Sequence, residues 1–138
     1  MDEFTLIEKY FKKLTYNNPS ALELNDDVFF DKKRNVVVST DTYVEGVHFL
    51  NFKNPNLVIK KIVRSSISDL YCKGVKPKFI FIAASGNNNS FSKKNLNIIS
   101  KSLKDEQNKY GIKLSGGDTT KSNKTVFTIM SLGYSKKI

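Results

Sequence analysis

The 138-residue sequence predicts an α/β (α+β) domain in which a mixed, mostly antiparallel sheet carries helices packed on one face. Three observations predict it. Apolar residues recur at helical spacing in three separate segments, short β-branched and aromatic runs fall between them, and Gly, Asn and Pro punctuate the junctions.

The first helical segment runs from Glu3 to Leu14, where Phe4, Ile7, Phe11 and Leu14 make one apolar face and Tyr16-Asn17-Asn18-Pro19 ends it. Val28-Phe29-Phe30 and Asn35 to Ser39 read as a hairpin about the turn Asp31-Lys32-Lys33-Arg34, its second strand delivering Thr40 and Asp41 at its end. Asn54-Pro55 opens a second helix, with Asn as cap and Pro at the first helical position. Val58, Ile62, Ile67 and Leu70 carry that helix to about Cys72, a packed position, and Gly74 stops it. Asp69 then falls in the last turn, where the macrodipole disfavours an anion, and that points to function. Lys78 to Ala84 is a buried strand whose run Phe79 to Ile82 is core, and Gly86 to Ser90 is an exposed loop. Ser92 caps a third helix bearing Leu96, Ile99, Leu103 and Tyr110 on one face, closed by Gly111. Ile112 to Leu114 is a short strand leading into a Gly116-Gly117-Asp118 turn, and Thr125 to Leu132 is the last strand.

Composition excludes several function classes. The lone Cys72 permits no internal disulfide and no zinc site of its own, which fits a reducing compartment. Met1-Asp2-Glu3 is acidic where a secretory signal is basic, and the longest apolar run, Phe79 to Ala84, is too short to span a bilayer. The chain therefore reads as cytoplasmic, without a membrane partner. Its net charge of +10 comes almost wholly from lysines dispersed in pairs, with Arg34 and Arg64 the only arginines. Nucleic-acid sites favour clustered arginine and stacking aromatics, so no nucleic-acid partner is expected.

Against that basic background stand four acidic motifs: Asn25-Asp26-Asp27, Ser39-Thr40-Asp41, Ser68-Asp69-Leu70 and Gly116-Gly117-Asp118-Thr119-Thr120. Their near neighbours are small, hydroxyl or glycine residues, so nothing adjacent in sequence neutralises the carboxylates. Carboxylates gathered without a counter-charge repel, and one must take up a proton unless a divalent ion is present. Magnesium suits such a set because it takes oxygen ligands and bridges carboxylates to phosphates. Turn and cap chemistry explains any single one of these aspartates equally well. Gly116-Gly117 would let backbone approach phosphate oxygens, and a turn needing positive φ accounts for them as well. No Gly-x-x-x-x-Gly-Lys-Ser/Thr loop occurs, which excludes a P-loop mechanism.

In order and spacing these motifs resemble the N-terminal half of the thiamine-monophosphate kinases, in the superfamily of aminoimidazole ribonucleotide synthetase and selenophosphate synthetase. The resemblance starts at Glu3-Phe4-Thr5-Leu6-Ile7 and passes through Asn25-Asp26-Asp27 and Val38 to Phe49. It ends with Ser68-Asp69-Leu70, Gly74 and Gly116 to Thr120. It implies ATP-dependent phosphorylation of thiamine monophosphate to thiamine diphosphate, and a homodimer whose sheets close into a barrel. It implies Asp27, Ser39, Thr40, Asp41, Asp69 and Asp118 as Mg2+ ligands, Gly117 and Asp118 at the ATP phosphates, and His48, the only histidine, beside the thiamine phosphate. No nucleophilic side chain is required, since phosphoryl transfer between two anions needs positioning and charge neutralisation.

Asn25 stands where the family usually has Gly, Arg64 to Ile67 is more polar than its Ala-rich segment, and Lys121-Ser122 replaces Arg-Gly. The family's second domain is absent from these 138 residues, so residues 1–138 are expected to be a single N-terminal ATP- and magnesium-binding domain with weak or no turnover alone. The alternatives are another ATP-using synthetase of the superfamily and a non-catalytic dimerisation module. No Cys precedes Cys72, which argues against selenophosphate synthetase.

Overall fold

In a computed structural model describing Met1–Ile138, five segments with extended-chain propensity pair into one sheet. They are β1 (Phe29–Asp31), β2 (Val36–Val44), β3 (Pro77–Gly86), β4 (Lys113–Lys121) and β5 (Val126–Tyr134), in the order β1-β2-β5-β3-β4. Only β3 and β4 run parallel. Parallel neighbours need a crossover, and α3 (Lys93–Tyr110) supplies it; the other long helix is α2 (Pro55–Tyr71). The caps act as the sequence predicts: Asn54 Oδ1 accepts from Leu57 N, Ser92 Oγ accepts from Asn95 N, and Gly111 takes the left-handed φ of +65° that ends α3.

Alternation along β2 and β5 sends Tyr43, Phe127 and Ile129 to one face, where α2 covers them with Ile59, Ile62, Val63 and Ile67, and Val37 to the same face in a smaller cluster with Val28, Leu70 and Val75. This is the core. The opposite face carries Val38, Phe79, Phe81, Met130 and Leu132, all half-buried, with no long helix over them. The apolar run expected to be core is thus divided, with Ile80 inward and Phe79 and Phe81 outward.

The structure corrects four further expectations. The Glu3 to Leu14 helix is a four-residue α-helical turn, α1 (Glu3–Leu6), that widens over Ile7–Phe11 and tightens over Lys12–Thr15, and its apolar face is open, with Phe4 83% exposed. A single amphipathic stripe does not bury itself without a surface to meet. Strand β2 continues through Val44, pairing residue by residue with β5, so Thr40 and Asp41 lie inside a strand rather than at its end. Gly116-Gly117-Asp118 is not a turn but the middle of β4, and neither glycine has positive φ. Cys72 is exposed, because it caps α2 on the side away from the sheet core.

Helix α3 packs Ile99, Leu103 and Tyr110 against the core and is fixed on α2 by polar contacts. Glu106, 1% exposed, accepts two hydrogen bonds from Arg64 at 2.9 and 2.8 Å, and Ser102 Oγ donates to Asn56 Oδ1 at 2.7 Å. A carboxylate this buried needs its partner. The stripe Leu96, Ile99 and Leu103 therefore does not close onto β3 and β4. It lines an open apolar cleft of about 660 Å3 whose floor is Ile62, Val63 and Phe127 and whose rim is Leu114 to Thr119.

Candidate functional site

Strand alternation places Ser39 and Asp41 on the helix-facing side of β2, and the last turn of α2 brings Asp69 over them. Ser39 Oγ donates to Asp69 Oδ2 at 2.9 Å, and Tyr43 OH donates to Asp41 Oδ2 at 3.4 Å. Burial, then the neighbouring Asp69 carboxyl, push Asp41 up to about 6, and the charge of Asp27 adds to the same effect. An acid raised by burial and by a neighbouring carboxyl in a half-buried site marks a place where a divalent ion relieves repulsion. Ser39, Asp41 and Asp69 therefore form one neighbourhood, and Asp27 lies near enough for its charge to act on Asp41.

A contact that the sequence did not suggest ties Asp27 to this place. Lys73 Nζ, just beyond α2, bonds Asp26 Oδ2 at 2.8 Å, and Asp26 Oδ1 accepts from the Asp27 amide at 2.7 Å. The hydrogen bond from Lys73 holds the Asp26 carboxyl below its ordinary range. The motif Asn25-Asp26-Asp27 is thus half neutralised from afar, which corrects the picture of four bare carboxylate motifs. Only the folded chain brings Lys73 to residue 26, so no local pattern marked it.

The remaining predicted residues lie elsewhere. Thr40 points to the open sheet face, opposite Ser39, and is exposed. Asp118 sits on β4, and the row Thr42, Thr128, Ala83, Asp118 crosses three strand spacings, roughly 14 Å. No three Asp, Glu, His or Cys side chains of the chain stand in metal-holding geometry. Within one chain, Asp118 does not join the Asp41–Asp69 pair.

Gly117 has a structural reason of its own: a Cβ there would lie 1.9 Å from the carbonyl oxygen of Ile82, so only glycine lets β4 approach β3 this closely. The stretch Gly116 to Thr119 forms the rim of the apolar cleft, and Asp118 makes no hydrogen bond or ion pair. His48 lies past the end of β2. Its Nδ1 accepts from Val44 N at 2.9 Å, its carbonyl accepts from Lys61 Nζ at 2.6 Å, and its ring meets Tyr43 edge-on. It closes the loop after β2 while remaining exposed.

Comparison with known proteins agrees with this architecture. The chain is 33% identical over 141 residues to the thiamine-monophosphate kinase of Haemophilus influenzae, covering 99% of this chain and 42% of that protein. It is 36% identical over 141 residues to the thiamine-monophosphate kinase of Buchnera aphidicola from Acyrthosiphon pisum, covering 98% and 42%. The solved structure of AaThiL complexed with AMPPCP and TMP superposes with a TM-score of 0.81 at 24% identity, over 97% of this chain and 42% of that one, and this shows a shared fold. The chain thus spans about two fifths of the length of the curated relatives it matches. Residues 24–134, which include all five strands, match AIR synthase related protein, N-terminal domain, and the chain belongs to that family.

Proposed function

We propose that this chain is the N-terminal, ATP- and magnesium-binding part of a thiamine-monophosphate kinase, which transfers the γ-phosphoryl group of ATP to thiamine monophosphate. The observation that carries the reading is the convergence of Ser39, Asp41 and Asp69 on one side of β2, with Asp27 close enough to act on Asp41. Relatives over 30% identical bear the kinase name, and a fold relative holds an ATP analogue together with TMP. Magnesium would be held first by Ser39, Asp41 and Asp69, with Asp27, Thr40 and Asp118 completing the proposed set from positions that do not converge with them within one chain. Its charge would offset repulsion between the two phosphates as they meet.

Gly117 and Asp118 are proposed to face the nucleotide. The apolar cleft behind them is of ligand size, with a few polar groups at one edge, which suits a flat ring joined to phosphates. His48, exposed beyond β2, is proposed to face thiamine monophosphate. We further propose a homodimer that covers the open sheet face, since Val38, Phe79, Phe81, Met130 and Leu132 form an apolar surface there and Thr40 lies among them. A cytoplasmic location is part of the same proposal; no helix of the chain is long and apolar enough to cross a membrane.

Calorimetric titration of a non-hydrolysable ATP analogue, with and without Mg2+, tests the reading. Magnesium-dependent binding by the parent that is lost in Asp41→Asn supports it; binding that ignores both magnesium and Asp41 overturns it. Residues 1–138 alone are expected to turn over weakly or not at all, and full kinase activity from them would contradict the proposed division of the domain. A non-catalytic dimerisation module is favoured by one observation, the separation of Asp118 from the other acids. It predicts a dimer with no metal-dependent nucleotide binding.

A further inference from the structure

Ser131 of β5 is fully buried, at 0% exposure, and its hydroxyl is the one buried side-chain polar atom without a hydrogen-bond partner. Buried hydroxyls are almost always satisfied, and an orphan in an otherwise paired interior calls for a cause. Its position supplies one. Ser131 is the direct cross-strand partner of Ser39, and both lie on the helix-facing side of the sheet.

Helix α2 fixes what covers it. Ser66 Oγ donates to the carbonyl of Ile129, two residues before Ser131, and a Cβ at Gly133, two residues after, would lie 3.3 Å from Leu70 Cδ2. Ser131 therefore sits beneath the helical turn between Ser66 and Leu70, the turn that also carries Asp69. Ser39 spends its proton on Asp69 Oδ2. Thr42 Oγ1 and Thr128 Oγ1, a non-hydrogen-bonded pair on the other face, meet at 2.9 Å. Ser39 and Ser131 are a backbone-hydrogen-bonded pair whose side chains start farther apart, so their hydroxyls meet only when that of Ser39 turns from Asp69.

We propose that Ser131 is a positioning residue, the second acceptor for the Ser39 hydroxyl, to which that hydroxyl swings when a divalent cation takes the Asp69 carboxylate. The proposal rests on the reading of Asp69 as a cation ligand. A cation at Asp69 repels a proton pointed at the same oxygen. Rotation of the Ser39 hydroxyl about its Cβ–Oγ bond turns its lone pairs toward the cation and its proton away from it, toward Ser131. The unpaired hydroxyl is thus a group whose partner arrives with the ligand. An apolar residue at 131 would leave the proton of Ser39 with nowhere to go and would weaken cation binding.

A double-mutant cycle read by thermal melting without metal tests the exchange. In the parent, Ser131→Ala removes an orphan hydroxyl and raises Tm by about 2 °C. In Asp69→Ala, where Ser39 has lost its acceptor, Ser131→Ala lowers Tm, while Ser131→Thr restores it. Asp69→Leu serves the same cycle if Asp69→Ala does not fold. Equal shifts in both backgrounds overturn the proposal. Titration of Mn2+ alone supplies the second arm: Ser131→Ala is expected to bind about tenfold more weakly than the parent, and Ser131→Thr like the parent. Unchanged Mn2+ affinity in Ser131→Ala overturns the positioning role. Coupled melting shifts with no Mn2+ binding by the parent overturn the cation reading of Asp69 and leave the hydroxyl exchange standing.

Discussion

Strands β2 and β4 hold the same kind of motif in opposite surroundings. At β2, Asp41 lies under α2, beside Asp69 and Tyr43, in a half-buried site whose members are hydrogen-bonded to one another. At β4, Asp118 lies on an edge strand exposed along all nine residues, next to a cleft that α3 does not fill. A carboxylate's chemistry is set by what folds over it. The first region couples protonation to structure, whereas the second offers backbone and a bare charge to whatever approaches. The first is closed by the chain's own hydrogen bonds; the second is left open.

The comparison breaks most visibly in stability. Ile129→Ala, which empties the floor beneath α2, is expected to cost about 2–5 kcal/mol in denaturant unfolding, while Leu114→Ala on β4, 49% exposed, is expected to cost under about 1 kcal/mol. Similar losses at both sites would mean that β4 is as integral to the core as β5. Gly117→Ala sharpens the contrast, because its Cβ would strike the Ile82 carbonyl. It should release β4 from β3 at a cost of about 1–3 kcal/mol, seen as faster hydrogen exchange in β4 with β2 and β5 still protected.

The next effect is smaller and depends on pH. Folded Asp41 keeps its proton up to about pH 6, whereas the unfolded chain releases it near 3.8. Between those values the native state binds more protons than the unfolded one, so stability falls as pH rises through the window. Partial exposure limits the loss to about 1–2 kcal/mol. Asp41→Asn should melt higher than the parent at pH 7 and show a flatter pH dependence, and magnesium affinity of the parent should rise through pH 6. A parent whose melting temperature rises across that window would contradict the assigned direction.

Lys73→Met tests the tether of Asp26. The pair is partly exposed and screened by solvent, so stability should change little, while metal-dependent nucleotide binding weakens because Asp27 is no longer held near Asp41. Smallest of all is the effect of Asp118→Asn on folding, expected within about 0.5 kcal/mol. The same substitution should remove magnesium-dependent nucleotide binding if the proposed role is right. Full binding by Asp118→Asn would restrict the site to the β2 end.

The sequence by itself determined the type of nearly every element. Spacing fixed α2 and α3, because their apolar residues recur with the helical period and because Asn54, Ser92 and Gly111 are cap residues whose chemistry is local. The strands followed from β-branched and aromatic runs, and Ser39, Asp41 and Asp69 stood out because acids without neighbouring cations are conspicuous in a chain of net charge +10. What the tertiary structure decided is everything that depends on distant residues. It extended β2 through Asp41 by pairing it with β5. It drew Gly116-Gly117 into an edge strand where a turn was expected, since close approach to Ile82 and a tight turn both select glycine. It set Lys73 against Asp26, Arg64 against Glu106 and Ser131 beneath α2. Periodicity and capping act over one or two turns of chain and can be read along it. Charge pairing, close approach and burial act through space, between residues whose separation in sequence carries no trace of their contact.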